Sequence, residues 1–202
     1  MTLPSDGLIE DRPHAIGIEE EKLSFSGFRN VETITYSESD GRLQATREIV
    51  RARRAVGVIA FDPVLDRLVL IRQFRLAAQM GTGQGFCTEI VAGLIEDGRD
   101  GAQTARAELR EEAGLEAKSC QHLFSFLTSP GMTDEVLEVF CCRVDAAHLP
   151  ERGGLDEETE ETFPFTCTLE EALAAIDTNA ISHGIAMLAL LRFSRMKDDI
   201  FG

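Results

Sequence analysis

Between Gly93 and Leu115 the chain reads GLIEDGRDGAQTARAELREEAGL, a glycine-punctuated loop running into a helix whose second half is crowded with glutamates. Asp100 is a helix-capping residue whose charge suits an N-terminus, and Gly114 is the type found just past a helix end, so the spacing predicts a helix over Gly101 to Ala113. At about 100° per residue, Ala102, Ala105, Leu109 and Ala113 share one narrow face that must pack on a core. Glu108 and Glu112 stand together on one shoulder of that face, Glu111 lies beyond them, and Arg106 and Arg110 take the opposite flank. Like charges four apart oppose an isolated helix by roughly a few tenths of a kcal/mol, and partial burial makes the repulsion worse. The arginines of the helix point the wrong way to relieve it. A hard divalent cation held by carboxylate oxygens, Mg²⁺ or Mn²⁺, would relieve it. A solvated charged face is the other reading of the same pattern.

Such a helix needs a core, and 202 residues at 44% hydrophobic supply one full core with room for a small appendage. The net charge of −15 argues against DNA, RNA or an acidic membrane as partners, because neutralising phosphates takes clustered Lys and Arg. An anionic substrate must then be met by local basic residues or by a metal. No apolar run approaches the roughly 20 residues of a membrane span, and the opening MTLPSDGLIEDRPH lacks a basic segment followed by an apolar one, so a cytoplasmic protein is expected. Cys87, Cys120, Cys141, Cys142 and Cys167 form no C-x-x-C and are expected to be small buried thiols in a reducing compartment. His14, His122, His148 and His183 have no metal-ligand spacing and are expected to be structural.

Taken in order, Met1 to Glu21 reads as a loose polar lead-in. Leu23 to Glu38 and Arg42 to Arg53 alternate like strands around the turn Ser39-Asp40-Gly41, giving a hairpin too poor in large apolar groups to stand alone. It is expected to pack on the rest of the chain or on a second copy. Ala55 to Phe61 and Leu68 to Phe74 are apolar runs that read as central strands. The second ends in Arg72-Gln73-Phe74-Arg75, where two arginines beside the glutamate helix could hold phosphates or simply mark a strand reaching solvent. Met80 to Gly85 reads as a flexible loop, and Thr88 to Ala92, His122 to Leu127, Val136 to Val144 and Phe163 to Thr166 as further strands. Thr168 with Glu171 forms a capping box opening a helix to about Ile176, and Ser182 to Arg195 reads as a buried helix. The chain thus divides into residues 1–53 and 54–202.

The Gly93 to Leu115 stretch resembles the signature of the Nudix hydrolase family, with Gly93, Glu108, Leu109, Glu111, Glu112, Gly114 and Leu115 in register. Two positions depart: Arg99 stands where the family has a loop glutamate, and Ala107 where it has an arginine. That arginine would sit four residues before Glu111 and help to fix it, and Arg99 is no substitute, since twelve helical residues span about 18 Å. The β-rich extension, Arg72-Gln73-Phe74-Arg75 and Pro130 are similar to the branch of ADP-ribose and other nucleotide-sugar pyrophosphatases. The resemblance implies an α/β fold, an α/β/α sandwich around a mixed sheet, with residues 1–53 as a dimerisation domain and a site assembled partly across a homodimer.

It further implies Mg²⁺, or Mn²⁺, held by Glu108, Glu112, Glu160 and the carbonyl of Ala92, with Glu111 nearby. Glu158 and Glu160 fall where a base and that further ligand are expected, Glu158 being the first candidate base of the two, and Glu135 is a candidate for substrate contact or base assistance. Arg75 is the first candidate for substrate contact, followed by Arg51, Arg53 and Arg54, with Phe28 as a base-stacking or core residue. The implied reaction is hydrolysis of ADP-ribose or a related nucleotide sugar to a nucleoside monophosphate and a sugar phosphate. A catalytically weak nucleotide-binding module is the alternative, motivated by Arg99 and Ala107.

Overall fold

The computed structural model describes residues 9–39, 41, 43–154 and 161–201. Two compact units are present, one comprising the described residues up to Ala52 with Gly131–Asp134, the other Arg53–Pro130 with Glu135 onward.

The first unit is an antiparallel sheet of three strands, β1 (Ile16–Phe25), β2 (Asn30–Glu38) and β3 (Gln44–Arg51), in the order β1-β2-β3. This corrects the expected hairpin and its loose lead-in. The acidic run Glu19 to Glu21 and two bulges interrupt the alternation of β1 and hide it from a period-two reading. Leu23 to Glu38 is not one strand either, because the backbone bends at Gly27, Phe28 and Arg29. Every residue of β1 is exposed, including Ile16, Ile18, Leu23 and Phe25. Asp134 closes the unit by accepting from the amide of Ala52 at 2.8 Å.

The second unit contains β4 (Ala55–Asp62), β5 (Arg67–Phe74), α1 (Leu76–Thr82), β6 (Phe86–Glu89), β7 (Val91–Leu94), α2 (Gly101–Ala113), β8 (Ser119–Leu127), β9 (Val136–Arg143), β10 (Thr162–Cys167), α3 (Leu169–Asp177), α4 (Gly184–Ser194) and α5 (Lys197–Phe201). Its sheet runs β10-β5-β4-β9-β8, mixed because β4 and β9 are parallel. The expected strand Thr88 to Ala92 is two strands. Strands β4 and β5 pair only where Ala60–Asp62 meet Arg67–Val69, then separate, and β6 pairs with β5 while β7 pairs with β4. The expected loop Met80 to Gly85 is largely corrected by α1, whose Leu-Ala-Ala-Gln-Met run forms helix until Gly83 ends it at φ 77°.

The sheet lies between two helical layers. Val56, Val58, Val69 and Ile71 pack with Ala105, Leu109 and Ala113 of α2 on one face. Ile59, Phe61, Leu68 and Leu70 pack with Ala172, Ile176, Ala189, Leu190 and Phe193 of α3 and α4 on the other. This is the expected α/β/α sandwich. Helix α2 has the expected bounds: Asp100 accepts from the amide of Gln103 at 2.7 Å, Gln103 returns a bond to the Asp100 amide, and Gly114 ends the helix at φ 64°. Full burial of Leu109 contributes about 2 kcal/mol to holding it on the sheet. Cys120 and Cys142 face each other across β8 and β9 and are joined as a disulfide, which corrects the expectation of separate thiols; Cys87, Cys141 and Cys167 are free. Among the described residues, no helix is long and apolar enough to cross a membrane.

Candidate active site

Because α2 follows β7 after a short loop and packs back on the sheet, its glutamates return to the strand they came from. Glu112 is 4% exposed, and its Oε2 accepts a hydrogen bond from the Ala92 amide at 3.0 Å. Glu108, one turn earlier, lays its carboxylate against Gly93, where any side chain would collide with it. A side chain at 93 would displace the Glu108 carboxylate from this place, and the two carboxylates converge on the Ala92–Gly93 step. Neither arginine of α2 joins them: Arg110 bonds Glu116 at 2.6 Å, and Arg106 donates to the Ala117 carbonyl at 2.7 Å. Among the described residues no group of three or more His, Cys, Asp or Glu is gathered to hold a metal. Two converging carboxylates still suit a hard divalent cation, since such an ion can bind through one or two carboxylates together with waters and substrate phosphates.

The C-terminal half of α2 is also tied to the segment before β10. Gly154 donates to the Glu111 carbonyl at 2.8 Å, and the Thr162 hydroxyl donates to the Glu112 carbonyl at 2.6 Å. Glu158 and Glu160 lie outside the described residues, but their described flanks are held at the backbone of Glu111 and Glu112. Glu111 itself is half-buried.

Arg75, at the start of α1, is gripped by Glu89 through two bonds of 2.9 Å, Nε to Oε1 and Nη2 to Oε2. Glu89 is 1% exposed, and the Nε2 of His183 stands 3.7 Å from its Oε2.

A family model described as the NUDIX domain matches residues 51–187. The chain belongs to the Nudix hydrolase family. It is 35% identical over 147 residues to the ADP-ribose pyrophosphatase of Escherichia coli strain K12, covering 73% of this chain and 70% of that one. It is 29% identical over 167 residues to the GDP-mannose pyrophosphatase of Cronobacter sakazakii, covering 79% and 87%. The fold matches a crystal structure of an ADP compounds hydrolase with TM-score 0.74 at 20% identity, over 96% of this chain and 100% of that one.

The remaining expected residues of this Nudix hydrolase are spread over both units. In the first, Arg51 lies 3.5 Å from Glu32 and 3.3 Å from Asp134, and Phe28 is 92% exposed with Arg29 over its ring, which excludes a core role for it. In the second, Arg53 is exposed, Arg54 pairs with Glu138 at 2.8 Å, and Glu135 accepts from the Thr128 hydroxyl at 2.8 Å. Arg99 pairs with Glu96 in the loop before α2. Arg72, expected with Arg75 beside the glutamate helix, instead stands 4.3 Å over the Phe165 ring. There it borders a cavity of about 330 Å³ lined by Leu70, Thr88, Ala172 and Ile181, on the α3 face and away from the carboxylate pair.

The Glu89 pairing was missed in the sequence, although a glutamate inside the apolar run Cys87 to Ala92 was the available signal. Burial holds the His183 imidazole below its ordinary pKa of 6.5, with Glu89 opposing that shift and Arg75 adding to it. The unfolded chain therefore takes up this proton more readily. The stability that neutral His183 contributes is present above pH 6.5 and is lost as pH falls below it. His183 caps α4 by accepting from the Ala186 amide, and asparagine caps as well. His183→Asn is accordingly expected to narrow the difference between urea midpoints at pH 7.5 and pH 5.5. An unchanged difference would show that this imidazole is not a source of the pH dependence.

Proposed function

We propose that this Nudix hydrolase cleaves the pyrophosphate bond of ADP-ribose or a related nucleotide sugar, giving a nucleoside monophosphate and a sugar phosphate. The observation that carries the reading is the convergence of Glu108 and Glu112 on Ala92 and Gly93. The names of the relatives, ADP-ribose pyrophosphatase and GDP-mannose pyrophosphatase, support the substrate class. Glu108, Glu112 and the Ala92 carbonyl would hold Mg²⁺, with Mn²⁺ able to replace it and Glu160 as a further ligand. The cation supplies neutralisation of the pyrophosphate charge and a lowered pKa for the attacking water.

The chain's own residues do the rest. The Ala92 amide orients Glu112, and the missing side chain of Gly93 leaves Glu108 its place. Arg75, held by Glu89 in a fixed plane, is suited to a phosphate oxygen. Glu158 serves as base, with Glu135 and Glu111 assisting. The exposed apolar residues of β1 support a homodimer in which the N-terminal sheet is covered by a second copy, contributing Phe28 for stacking and Arg51, with Arg53, for charge.

A panel of ADP-ribose, UDP-glucose and GDP-mannose with Mg²⁺ tests the reading. Cleavage of at least one is expected, with the nucleoside monophosphate as product. Nucleotide binding without cleavage of any of them would overturn it.

A further inference from the structure

One buried amide oxygen on the α2 side of the sheet has no hydrogen-bond partner among the described residues. Gln73 is 4% exposed, and its Oε1 makes no hydrogen bond among the described residues. Along β5, Val69 and Ile71 point into the layer under α2, and the period of two places Gln73 on that same face. Its neighbour across the sheet is Thr162, the residue whose hydroxyl donates to the Glu112 carbonyl. Gly153, bridged to Thr162, is packed so closely on that carbonyl that a side chain there would collide with it. Gln73 therefore stands beside Thr162, which bonds the Glu112 backbone, on the face that Val69 and Ile71 share with α2. An unsatisfied buried oxygen is unfavourable, an apolar side chain of the same length would avoid the penalty, and the usual partner in a polar site is an ordered water.

We propose that Gln73 is a positioning residue of the cation site, its Oε1 accepting a hydrogen bond from a water shared with the cation held by Glu108 and Glu112. The inference rests on the reading of those glutamates as the metal site. Outer partners of this kind alter metal affinity by about 10- to 100-fold when removed.

The test uses the full chain without nucleotide, titrated with Mn²⁺ and followed by the electron paramagnetic resonance of unbound Mn²⁺. Gln73→Met is expected to weaken Mn²⁺ binding by about tenfold, while the melting temperature of the metal-free protein stays level or rises because the orphaned oxygen is gone. Gln73→Leu repeats the test with a different apolar shape. Gln73→Glu keeps an acceptor oxygen and is expected to bind Mn²⁺ at least as tightly as the wild type. Unchanged binding in the apolar variants would overturn the inference. Equal weakening in Gln73→Glu would overturn it too, since shape and not an acceptor would then matter. Failure of the wild type to bind Mn²⁺ would overturn the metal reading of Glu108 and Glu112, and with it this inference.

Discussion

Glu112→Gln is expected to abolish turnover while leaving the fold intact. Glutamine keeps the length of the side chain and an oxygen that can accept from the Ala92 amide, so the anchor at 3.0 Å survives the change. What is lost is the charge. Removing it also relieves the repulsion with Glu108 one turn away, worth roughly a few tenths of a kcal/mol, so the melting temperature should hold or rise slightly. Transition-state charge stabilisation by a bound cation is worth several kcal/mol, and about 4 kcal/mol corresponds to roughly a thousandfold in rate. The expected outcome is therefore a fall in kcat of about a thousandfold or more with ADP-ribose and Mg²⁺, beside a circular dichroism melt that is level or slightly raised. Near-normal activity would remove Glu112 from the metal site.

Helix α2 was legible in the sequence because everything that forms it is local: a cap, a core stripe at helical period and a terminal glycine all lie between Asp100 and Gly114. The central strands were legible in the apolar runs, and the sandwich was implied by the family pattern. What was illegible depended on partners distant in the chain. Strand β1 pairs with β2 through backbone groups while its own side chains stay exposed, so no hydrophobic alternation announces it. The separation of β4 from β5 brings Glu89 to Arg75, fourteen residues earlier, and no local rule contains that geometry. The orphaned oxygen of Gln73 likewise depends on β5 and β10 lying side by side. The position of Arg72 was legible and was misread: successive side chains in a strand alternate faces, so the chain of Val69, Ile71 and Gln73 under α2 leaves Arg72 on the α3 side. The acidic loop carrying Glu158 and Glu160 lies outside the described residues.

Arg75→Ala is expected to reduce both stability and activity, and a second substitution separates the two effects. Glu89 is 1% exposed, and without the guanidinium it keeps a buried negative charge beside an imidazole that burial holds below its ordinary pKa. Breaking a fully buried pair costs about 3–5 kcal/mol, and because Arg75 is 39% exposed, solvent screening brings the expected loss to about 2 kcal/mol. Loss of a charged hydrogen bond to phosphate is worth about 1.5–3 kcal/mol, so kcat/KM should fall by roughly 10- to 100-fold in the same variant. In the double variant Arg75→Ala/Glu89→Gln the buried charge is gone, and the urea midpoint should recover most of its loss while kcat/KM stays low. Recovery of both would make Arg75 a purely structural partner of Glu89. Arg75→Lys sharpens the distinction, because lysine keeps the charge but cannot reproduce the two parallel bonds that Glu89 accepts. If the fixed plane of the guanidinium is what presents it to substrate, Arg75→Lys should retain more stability than Arg75→Ala and recover little of the activity.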